Sequence, residues 1–405
     1  MAEEKHEAVK SGPVTVVINR SKNMETAELL AIIARGEDSK HQFKANVTNG
    51  DSLAEEMIAF SNSGGGTIFI GVNNNGTFSG LSSQEMNRLN QLVSNAASQS
   101  VRPPINPNTE NVLSPGGLVM VVSVDNGIGK PYMDKNGVIS VKSGADKRKA
   151  TSREEIQRMF QSSGLIHGDE IPANGLTIAD LDTEYFKAFF EKSFGESVDK
   201  QFVPLPALLE NMNLMKNRVL NVSGALLFAK NPSFRLPVFM VKAVSYPGCE
   251  IDEVNYINSQ DISGKIVDIF QKSMSFVLGN IKHKQEWQGI NSLGIPEIPR
   301  IVLEELIANA LIHRDYFVSA PVRMFIFEDR VEMISPGHLP NNLTIENIKS
   351  GNSNIRNPIL ASYATRILPY RGLGSGIIRA LQVYPNITFE DDRDGNQFKA
   401  IIHRA

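Results

Sequence analysis

The chain has a single cysteine, Cys249, and a single tryptophan among its 405 residues. One cysteine excludes a disulfide framework and any zinc site built from several cysteines. No apolar run approaches the ~20 residues that a membrane-spanning helix needs. The opening residues, MAEEKHEAVK, lack the apolar core of a signal peptide. We therefore expect a soluble, cytoplasmic protein with no membrane partner.

An excess of charge of one sign is also missing. The chain has 41 Lys and Arg against 44 Asp and Glu, a formal net charge of −3. No general basic field favours nucleic acid, so any polyanion site has to be a local patch. Hydrophobic residues make up 41% of the chain, too many for a disordered protein. The length predicts two or three domains.

Strand and helix patterns divide the chain into a tail and three segments. Residues 1–23 form a polar N-terminal tail, and 24–165 interleave strands and helices as one compact α+β domain. A short stretch with Gly and Pro at 161–175 predicts a boundary. A mixed, mostly helical connecting domain follows at 176–295. Its amphipathic helix at 264–281 fits an oligomer contact or the core equally well.

The last segment, 296–405, opens with a helix that carries polar residues at a spacing of four. In VLEELIANALIH, Glu305, Asn309 and His313 lie on one helical face beside an apolar stripe. An amide oxygen can bind Mg²⁺ and a carboxylate can deprotonate a water, which suits an ATP site. The spacing alone is more typical of polar positions on an ordinary amphipathic helix.

Two glycine-containing stretches follow that helix. A predicted hairpin ends in Ser335-Pro336-Gly337, and the loop RGLGSG places Gly372, Gly374 and Gly376 before a helix. Glycines at a helix N-terminus leave backbone N–H groups free for phosphates. A tight loop explains the same glycines equally well.

Four stretches in order carry a family resemblance: EELIANALIHRDY, VEMISPGHLP, RNPILA and RGLGSGI. They resemble the ATPase-related C-terminal domain of transcriptional regulators also labelled RecG-related. That domain is similar to the gyrase B, Hsp90, histidine-kinase and MutL ATPases, which are α/β sandwiches. The resemblance implies ATP and Mg²⁺ as ligands, with Glu305 as the water-activating base and Asn309 as the metal ligand. The predicted nucleotide-binding set is Asn309, His313, Ser335, Gly337, Gly372, Gly374 and Gly376.

One position departs from the wider ATPase fold. That fold uses an Asp at the start of a DxGxG loop to accept from the adenine amino group, whereas here the strand ends in Ser335. A neutral acceptor forms a hydrogen bond roughly half as strong as a charged one. We therefore expect nucleotide binding with, at most, weak ATP hydrolysis. The triplet His313-Arg314-Asp315 mimics a protein kinase, but the other kinase motifs are missing, so we exclude a kinase.

The N-terminal segment carries a second ordered set of motifs. Gly36-Glu37, Gln42-Phe43-Lys44, AFSNSGGGTIFIGV and Ser79-Gly80 resemble the Schlafen-type AlbA domain over 30–160. The resemblance implies a module that binds DNA or RNA, with some relatives acting as RNA nucleases. Those nucleases pair two glutamates five residues apart, and here the second position is Gln42. A metal-dependent nuclease needs clustered carboxylates, so we expect no nuclease activity.

The glycine run Gly64-Gly65-Gly66 lies inside this second motif set. It precedes a strand and lacks a following Lys-Ser/Thr, so it is not a P-loop. The run suits close backbone packing at the start of a strand better than close approach to a phosphate backbone.

A short basic run closes the N-terminal segment. The predicted loop KSGADKRKATSR, residues 142–153, holds five cations against one acid. Such a loop can lie on a phosphodiester backbone, although a solvated charged loop explains it equally well. The predicted nucleic-acid-binding residues are Lys44, Lys142, Lys147, Arg148 and Lys149.

Together the motifs predict a nucleotide-responsive, nucleic-acid-binding regulator of transcription that forms a homo-oligomer. An AlbA-like α+β domain would bind DNA or RNA, and an ATPase-like α/β sandwich would bind ATP. Two alternatives stay open. One is an enzyme of a defence or stress system, either an ATPase or a metal-dependent nuclease. The other is a scaffold with two inactive sites.

Overall fold

The computed structural model describes residues 24–252, 254–284, 294–340, 343–372 and 374–404. The chain divides into two compact units between Ser152 and Arg153. The predicted tail, 1–23, lies outside the described residues. The predicted boundaries at 165 and 295 stay predictions, because compactness does not say which segments fold alone.

The first unit is built on a four-stranded sheet with helices on both faces. Its helices are α1 (Thr26–Arg35), α2 (Gly50–Asn62) and α3 (Ser83–Asn95). Its strands are β1 (His41–Lys44), β2 (Gly66–Ile70), β3 (Val101–Arg102), β4 (Asn108–Ser114), β5 (Gly117–Val124), β6 (Met133–Asp134), β7 (Ser140–Ser143) and β8 (Asp146–Lys149). The sheet order is β1-β2-β5-β4, with β1 parallel to β2 and the other pairs antiparallel.

Alternation along the central strands gives this unit two separate cores. On β2, Ile68 and Ile70 join the cluster beneath α2 and α3, whereas Phe69 joins the cluster beneath α1. Successive side chains of a strand point to opposite faces, so one apolar run serves both layers. The predicted α+β class is confirmed.

Asparagine side chains fix both ends of α2. Asn49 caps its start, because Oδ1 accepts from the backbone N of Asp51 at 2.9 Å and of Ser52 at 3.4 Å. At the other end, Asn62 Nδ2 donates to the carbonyls of Tyr132 and Ser140, and Oδ1 accepts from Tyr132 N, each at 2.9 Å.

The glycine run after α2 is packed against neighbouring backbone and rings. A Cβ on Gly66 would overlap the Phe60 ring, and one on Gly65 would lie 2.8 Å from the Val124 carbonyl oxygen. Gly65 also has φ of +78°, which disfavours any other residue. These contacts favour the packing interpretation of the run.

The second unit combines a six-stranded sheet with the remaining helices. Its helices are α4 (Arg153–Ser162), α5 (Thr183–Phe194), α6 (Leu205–Asn211), α7 (Val222–Phe228), α8 (Ile266–Asn280), α9 (Arg300–Ile312), α10 (Ile345–Lys349), α11 (Pro358–Ile367) and α12 (Gly376–Val383). Its strands are β9 (Pro172–Thr177), β10 (Met215–Lys216), β11 (Val219–Asn221), β12 (Val241–Ser245), β13 (Asn258–Ile262), β14 (His283–Lys284), β15 (Ile295–Pro296), β16 (Val322–Ile326), β17 (Arg330–Pro336), β18 (Ile387–Asp392) and β19 (Gln397–His403).

The large sheet takes strands from both sides of residue 296. Its order is β13-β12-β16-β17-β19-β18, and β12 runs parallel to β16 from Val241 opposite Val322 to Ser245 opposite Ile326. Helices α8 and α9 contribute to the core on one face of this sheet. The predicted connecting segment therefore supplies two strands to the ATPase-like sheet.

Helix α9 ends at a buried polar anchor. Asn357 is fully buried, and its Nδ2 donates to the carbonyls of Ile312 at 2.7 Å and Arg314 at 2.8 Å. These bonds satisfy carbonyls that a helix end leaves without intrahelical partners. The anchor fixes His313 and the last turn of α9 in place.

Across the part of the chain that the structure describes, each helix is too short or too polar to cross a bilayer.

Candidate functional site

One cavity in the second unit is bordered by α9, the end of β17 and the loop before α12. We call it the α9 cavity. The predicted residues that line it are Glu305, Asn309, His313, Ser335, Gly337, Gly372, Gly374 and Gly376. The structure thus brings the predicted catalytic, metal and nucleotide residues to one place from three separate stretches of chain.

Glu305 is the buried charge of this cavity, with 5% of its surface exposed. Its Oε1 accepts from Asn309 Nδ2 at 3.0 Å, one helical turn along α9. Its Oε2 accepts from Arg379 Nη2 at 2.8 Å, an ion pair reaching across from α12. Each carboxylate oxygen therefore already has a donor. Because Asn309 donates through its nitrogen, its amide oxygen is left for a ligand such as Mg²⁺.

The glycine loop fits closely against its surroundings. Gly372 and Gly374 have φ of +69° and +70°, and a Cβ on Gly374 would overlap the Gly351 carbonyl oxygen. A Cβ on Gly376 would overlap the Glu305 carboxylate. Backbone excludes a larger residue at Gly374, whereas a larger residue at Gly376 would have to displace the Glu305 carboxylate. The backbone at the start of α12 therefore comes directly beside Glu305.

The end of β17 forms another part of the wall. The Ser335 hydroxyl donates to the Ala310 carbonyl of α9 at 3.0 Å, which leaves the lone pairs of Oγ for a donor on a ligand. Gly337 has φ of +99°, and a Cβ there would lie 2.6 Å from that of Asp315. The predicted neutral acceptor is thus available, and the turn after it requires glycine.

Tyr370 is a cavity residue that the motifs did not reveal. Its hydroxyl lies 3.0 Å from His313 Nε2. Burial lowers the pKa of His313 to about 4, so at neutral pH this nitrogen is uncharged and accepts from the tyrosine. Burial, with a smaller contribution from Glu305, raises the pKa of Tyr370 to about 12, so the tyrosine keeps its proton. In the sequence, the one feature that points to Tyr370 as a cavity residue is its position directly before RGLGSG.

The opposite wall of the α9 cavity is apolar. Phe389 and Phe398 stack with ring centroids 5.9 Å apart and an interplanar angle of 19°. Met333, Leu339 and Ile348 also line this wall. A cavity with an apolar wall and a few convergent polar groups is typical of sites for small organic ligands. Its residues fit a nucleotide, with the glycine loop as a cradle for phosphates.

In the first unit, three of the predicted cations gather around one buried carboxylate. Lys44 Nζ lies 3.6 Å and Lys147 Nζ 3.3 Å from Glu56 Oε1. Lys142 Nζ donates to Gln42 Oε1 at 2.8 Å. Burial lowers the pKa of Lys142, and the nearby Glu56 carboxylate opposes that shift. We call Lys44, Lys142 and Lys147 the basic cluster.

The other two predicted cations lie outside this cluster. Within the predicted loop 142–153, residues 146–149 instead form β8, which pairs with β7 as a hairpin that places Lys142 opposite Lys147. Arg148 and Lys149 are exposed on β8. Arg148 lies on the face opposite Lys147, because neighbouring residues of a strand alternate.

The candidate nuclease position is occupied by a hydrogen-bonded group of side chains. Glu37 Oε1 accepts from the backbone N of Phe43 at 2.6 Å and from the Gln42 side chain. The Lys142 ammonium bound to Gln42 adds a positive charge beside this pair. Among the described residues, no three His, Cys, Asp or Glu side chains gather as a metal site.

Comparison with known proteins bears on both sites. Residues 37–151 match the family model described as "Schlafen, AlbA_2", and residues 319–401 match the one described as "Putative ATP-dependent DNA helicase recG C-terminal". Both predicted resemblances are confirmed. A search among curated proteins finds no match.

Among solved structures, the chain resembles the DIP2311 protein from Corynebacterium diphtheriae. The sequence identity is 19% and the TM-score 0.45, over 94% of this chain and 80% of that one. Likeness at this level carries no argument about function.

The two matched segments contain some of the candidate site residues and leave others outside. The AlbA_2 segment contains the basic cluster together with Arg148 and Lys149. The recG C-terminal segment contains Ser335, Gly337 and the glycine loop, but it begins after α9. The place of Glu305, Asn309 and His313 in the site therefore rests on the geometry of the α9 cavity.

Proposed function

We propose that this protein is a nucleotide-responsive, nucleic-acid-binding regulator of transcription. The second unit binds ATP with Mg²⁺ in the α9 cavity, and the first unit binds DNA or RNA through the basic cluster. The observation that carries the proposal is the convergence of α9, the β17 end and the glycine loop on one cavity with an apolar wall.

Each part of the α9 cavity has a role in this proposal. The backbone N–H groups of the glycine loop donate to phosphate oxygens, and Ser335 Oγ accepts from the adenine amino group. Asn309 Oδ1 is the protein ligand of Mg²⁺, which when bound neutralises phosphate charge. Neutral His313 holds the Tyr370 hydroxyl in position at the cavity wall.

Glu305 is the candidate base for hydrolysis, but its surroundings favour binding over turnover. Its two oxygens already accept from Asn309 and Arg379. A general base must reach the proton of a water, and here both carboxylate oxygens are already occupied by other donors. We therefore propose weak ATPase activity at most, with occupancy of the cavity as the signal.

The first unit is proposed to bind the phosphate backbone rather than base edges. Lys44 and Lys147 are partly exposed, so phosphates can reach them. Ammonium groups on phosphates give affinity and position without reading sequence. A nuclease is disfavoured, because Gln42 replaces a carboxylate and already binds the Lys142 ammonium.

Thermal unfolding with and without ATP and Mg²⁺ tests the proposal. A ligand that binds only the native state stabilises it by about 2.7 kcal/mol at a concentration of 100 Kd. We expect ATP to raise the melting temperature of the unmutated chain, and Asn309→Ala to reduce the rise seen with Mg²⁺. Asn280→Ala, at the end of α8 and outside the cavity, is the matched control. Absence of any shift with ATP, ADP or adenosine would contradict the proposal.

Coupling between the units is the regulatory part of the proposal. If ATP changes the affinity for an oligonucleotide, the oligonucleotide must change the affinity for ATP by the same factor. Fluorescence anisotropy of a labelled oligonucleotide, repeated with saturating ATP, measures one side of this linkage. The same titrations run by sedimentation report whether the proposed homo-oligomer forms and responds to ATP.

A further inference from the structure

The ion pair between Glu305 and Arg379 joins α9 to α12 at the edge of the α9 cavity. The carboxylate is 5% exposed, and removing such a group from water is costly unless it is paired. Arg379 supplies that pairing through Nη2 at 2.8 Å. Its Nε is buried without an acceptor among the described residues, and Glu305 is the partner that they provide for its guanidinium.

The pair lies beside the part of the cavity assigned to phosphates. Gly376 belongs to the glycine loop, and its Cα is so close to Glu305 that a Cβ would overlap the carboxylate. A polyphosphate held by the loop would therefore come next to an anionic side chain. Like charges placed side by side in a site cost several kcal/mol. Besides any Mg²⁺ that accompanies the nucleotide, a cation of the protein that offsets Glu305 would favour phosphates at this end of the cavity.

We propose that Arg379 is this cation, a positioning residue whose positive charge offsets Glu305 and makes the phosphate end of the α9 cavity acceptable to an anion. The inference rests on the proposed nucleotide binding and adds a residue to it. Arg379 does not line the cavity among the described residues, whereas Glu305 does. It therefore acts through Glu305 and not by touching the phosphates.

A direct contact of Arg379 with phosphate is the competing explanation. The two explanations differ when Glu305 is made neutral. If Arg379 only offsets Glu305, its loss is harmless once Glu305 is neutral. If Arg379 binds phosphate itself, its loss weakens ATP binding whether Glu305 is charged or not. A double-mutant cycle separates the two cases.

The experiment measures ATP and adenosine affinity of the full chain by isothermal titration calorimetry. The variants are Arg379→Met, Glu305→Gln and the double variant. We expect Arg379→Met to weaken ATP binding about tenfold or more and to leave binding of uncharged adenosine unchanged. The double variant should recover most of the lost ATP affinity. Arg366→Met, the same change at an exposed position on α11, is the control.

Three results would overturn the inference. The first is an ATP affinity of Arg379→Met equal to that of the unmutated chain. The second is a loss that the double variant does not recover, as direct contact with phosphate would produce. The third is a loss that extends to adenosine, as misfolding would produce. Melting curves identify misfolding. If the unmutated chain binds neither ATP nor adenosine, the proposed function itself fails and the inference falls with it.

Discussion

At the scale of single residues, Glu56 limits how strongly the basic cluster can bind a phosphate. It is 5% exposed, and its Oε1 faces Lys44 and Lys147, whereas its Oε2 has no hydrogen-bond partner within the described part of the chain. A nucleic-acid phosphate that reaches these ammonium groups has to compete with a carboxylate already in place. The cluster therefore favours modest, salt-sensitive binding, in keeping with a chain whose net charge is −3.

We expect Glu56→Gln to tighten binding of an oligonucleotide, because Lys44 and Lys147 both lose the Glu56 charge, although Lys147 keeps its ion pair with Glu55 at 3.0 Å. Each added phosphate contact steepens the dependence of log affinity on log salt by roughly 0.7 to 0.9. Fluorescence anisotropy at several salt concentrations measures both effects. Glu28→Gln removes the same charge from an exposed position of α1 and is the control. Unchanged or weaker binding by Glu56→Gln would exclude this role for the basic cluster.

At the scale of elements, α12 begins so close to α9 that a Cβ at Gly376 would displace the buried Glu305 carboxylate. We expect Gly376→Ala to separate the two helices, abolish the thermal shift with ATP and lower the free energy of unfolding by about 1–3 kcal/mol. The cause is overlap of the new Cβ with Glu305. Urea unfolding and melting curves with ATP measure the two effects.

Gly279→Ala in α8 is the matched control, because an added Cβ there meets no atom within 4 Å. Alanine in an open helical position stabilises a protein by about 0.4–1 kcal/mol. The same chemical change is thus expected to have opposite signs on two helices of one unit. Equal effects at both sites would mean that the close approach of α9 and α12 does not persist in solution.

Elements with local signals were predictable from sequence, and contacts across long stretches of chain were not. The polar face of α9 and the glycine loop followed from residue spacing. The Glu305–Arg379 pair joins residues 74 apart and depends on how two helices pack. Strand β8 lies in the stretch predicted as a loop, because its run of charged residues hides the alternation that identifies a strand. Strand β13 was missed for a similar reason, since NSQDI is almost entirely polar.

At the scale of the whole molecule, each unit has hydrophobic clusters of its own. The two N-terminal clusters draw on residues before 133, and the large C-terminal cluster draws on residues after 172. We expect chains of residues 24–152 and 153–405 to fold separately, and the second to keep its thermal shift with ATP. Circular dichroism melts of the two fragments test this. A fragment without a cooperative transition would show that its core depends on the other unit.

The hydrogen bonds made by Asn62 determine how the AFSN stretch should be interpreted when it is found in a sequence. One amide side chain pairs with backbone groups 70 and 78 residues away, as a neighbouring strand would. Aspartate would lose both donated bonds and leucine all three, so this position selects one residue type for architectural reasons. The asparagine of the AFSN stretch is therefore a signature of the fold. Evidence about the ligand has to come from other positions, such as the ammonium groups of Lys44 and Lys147, which are partly exposed.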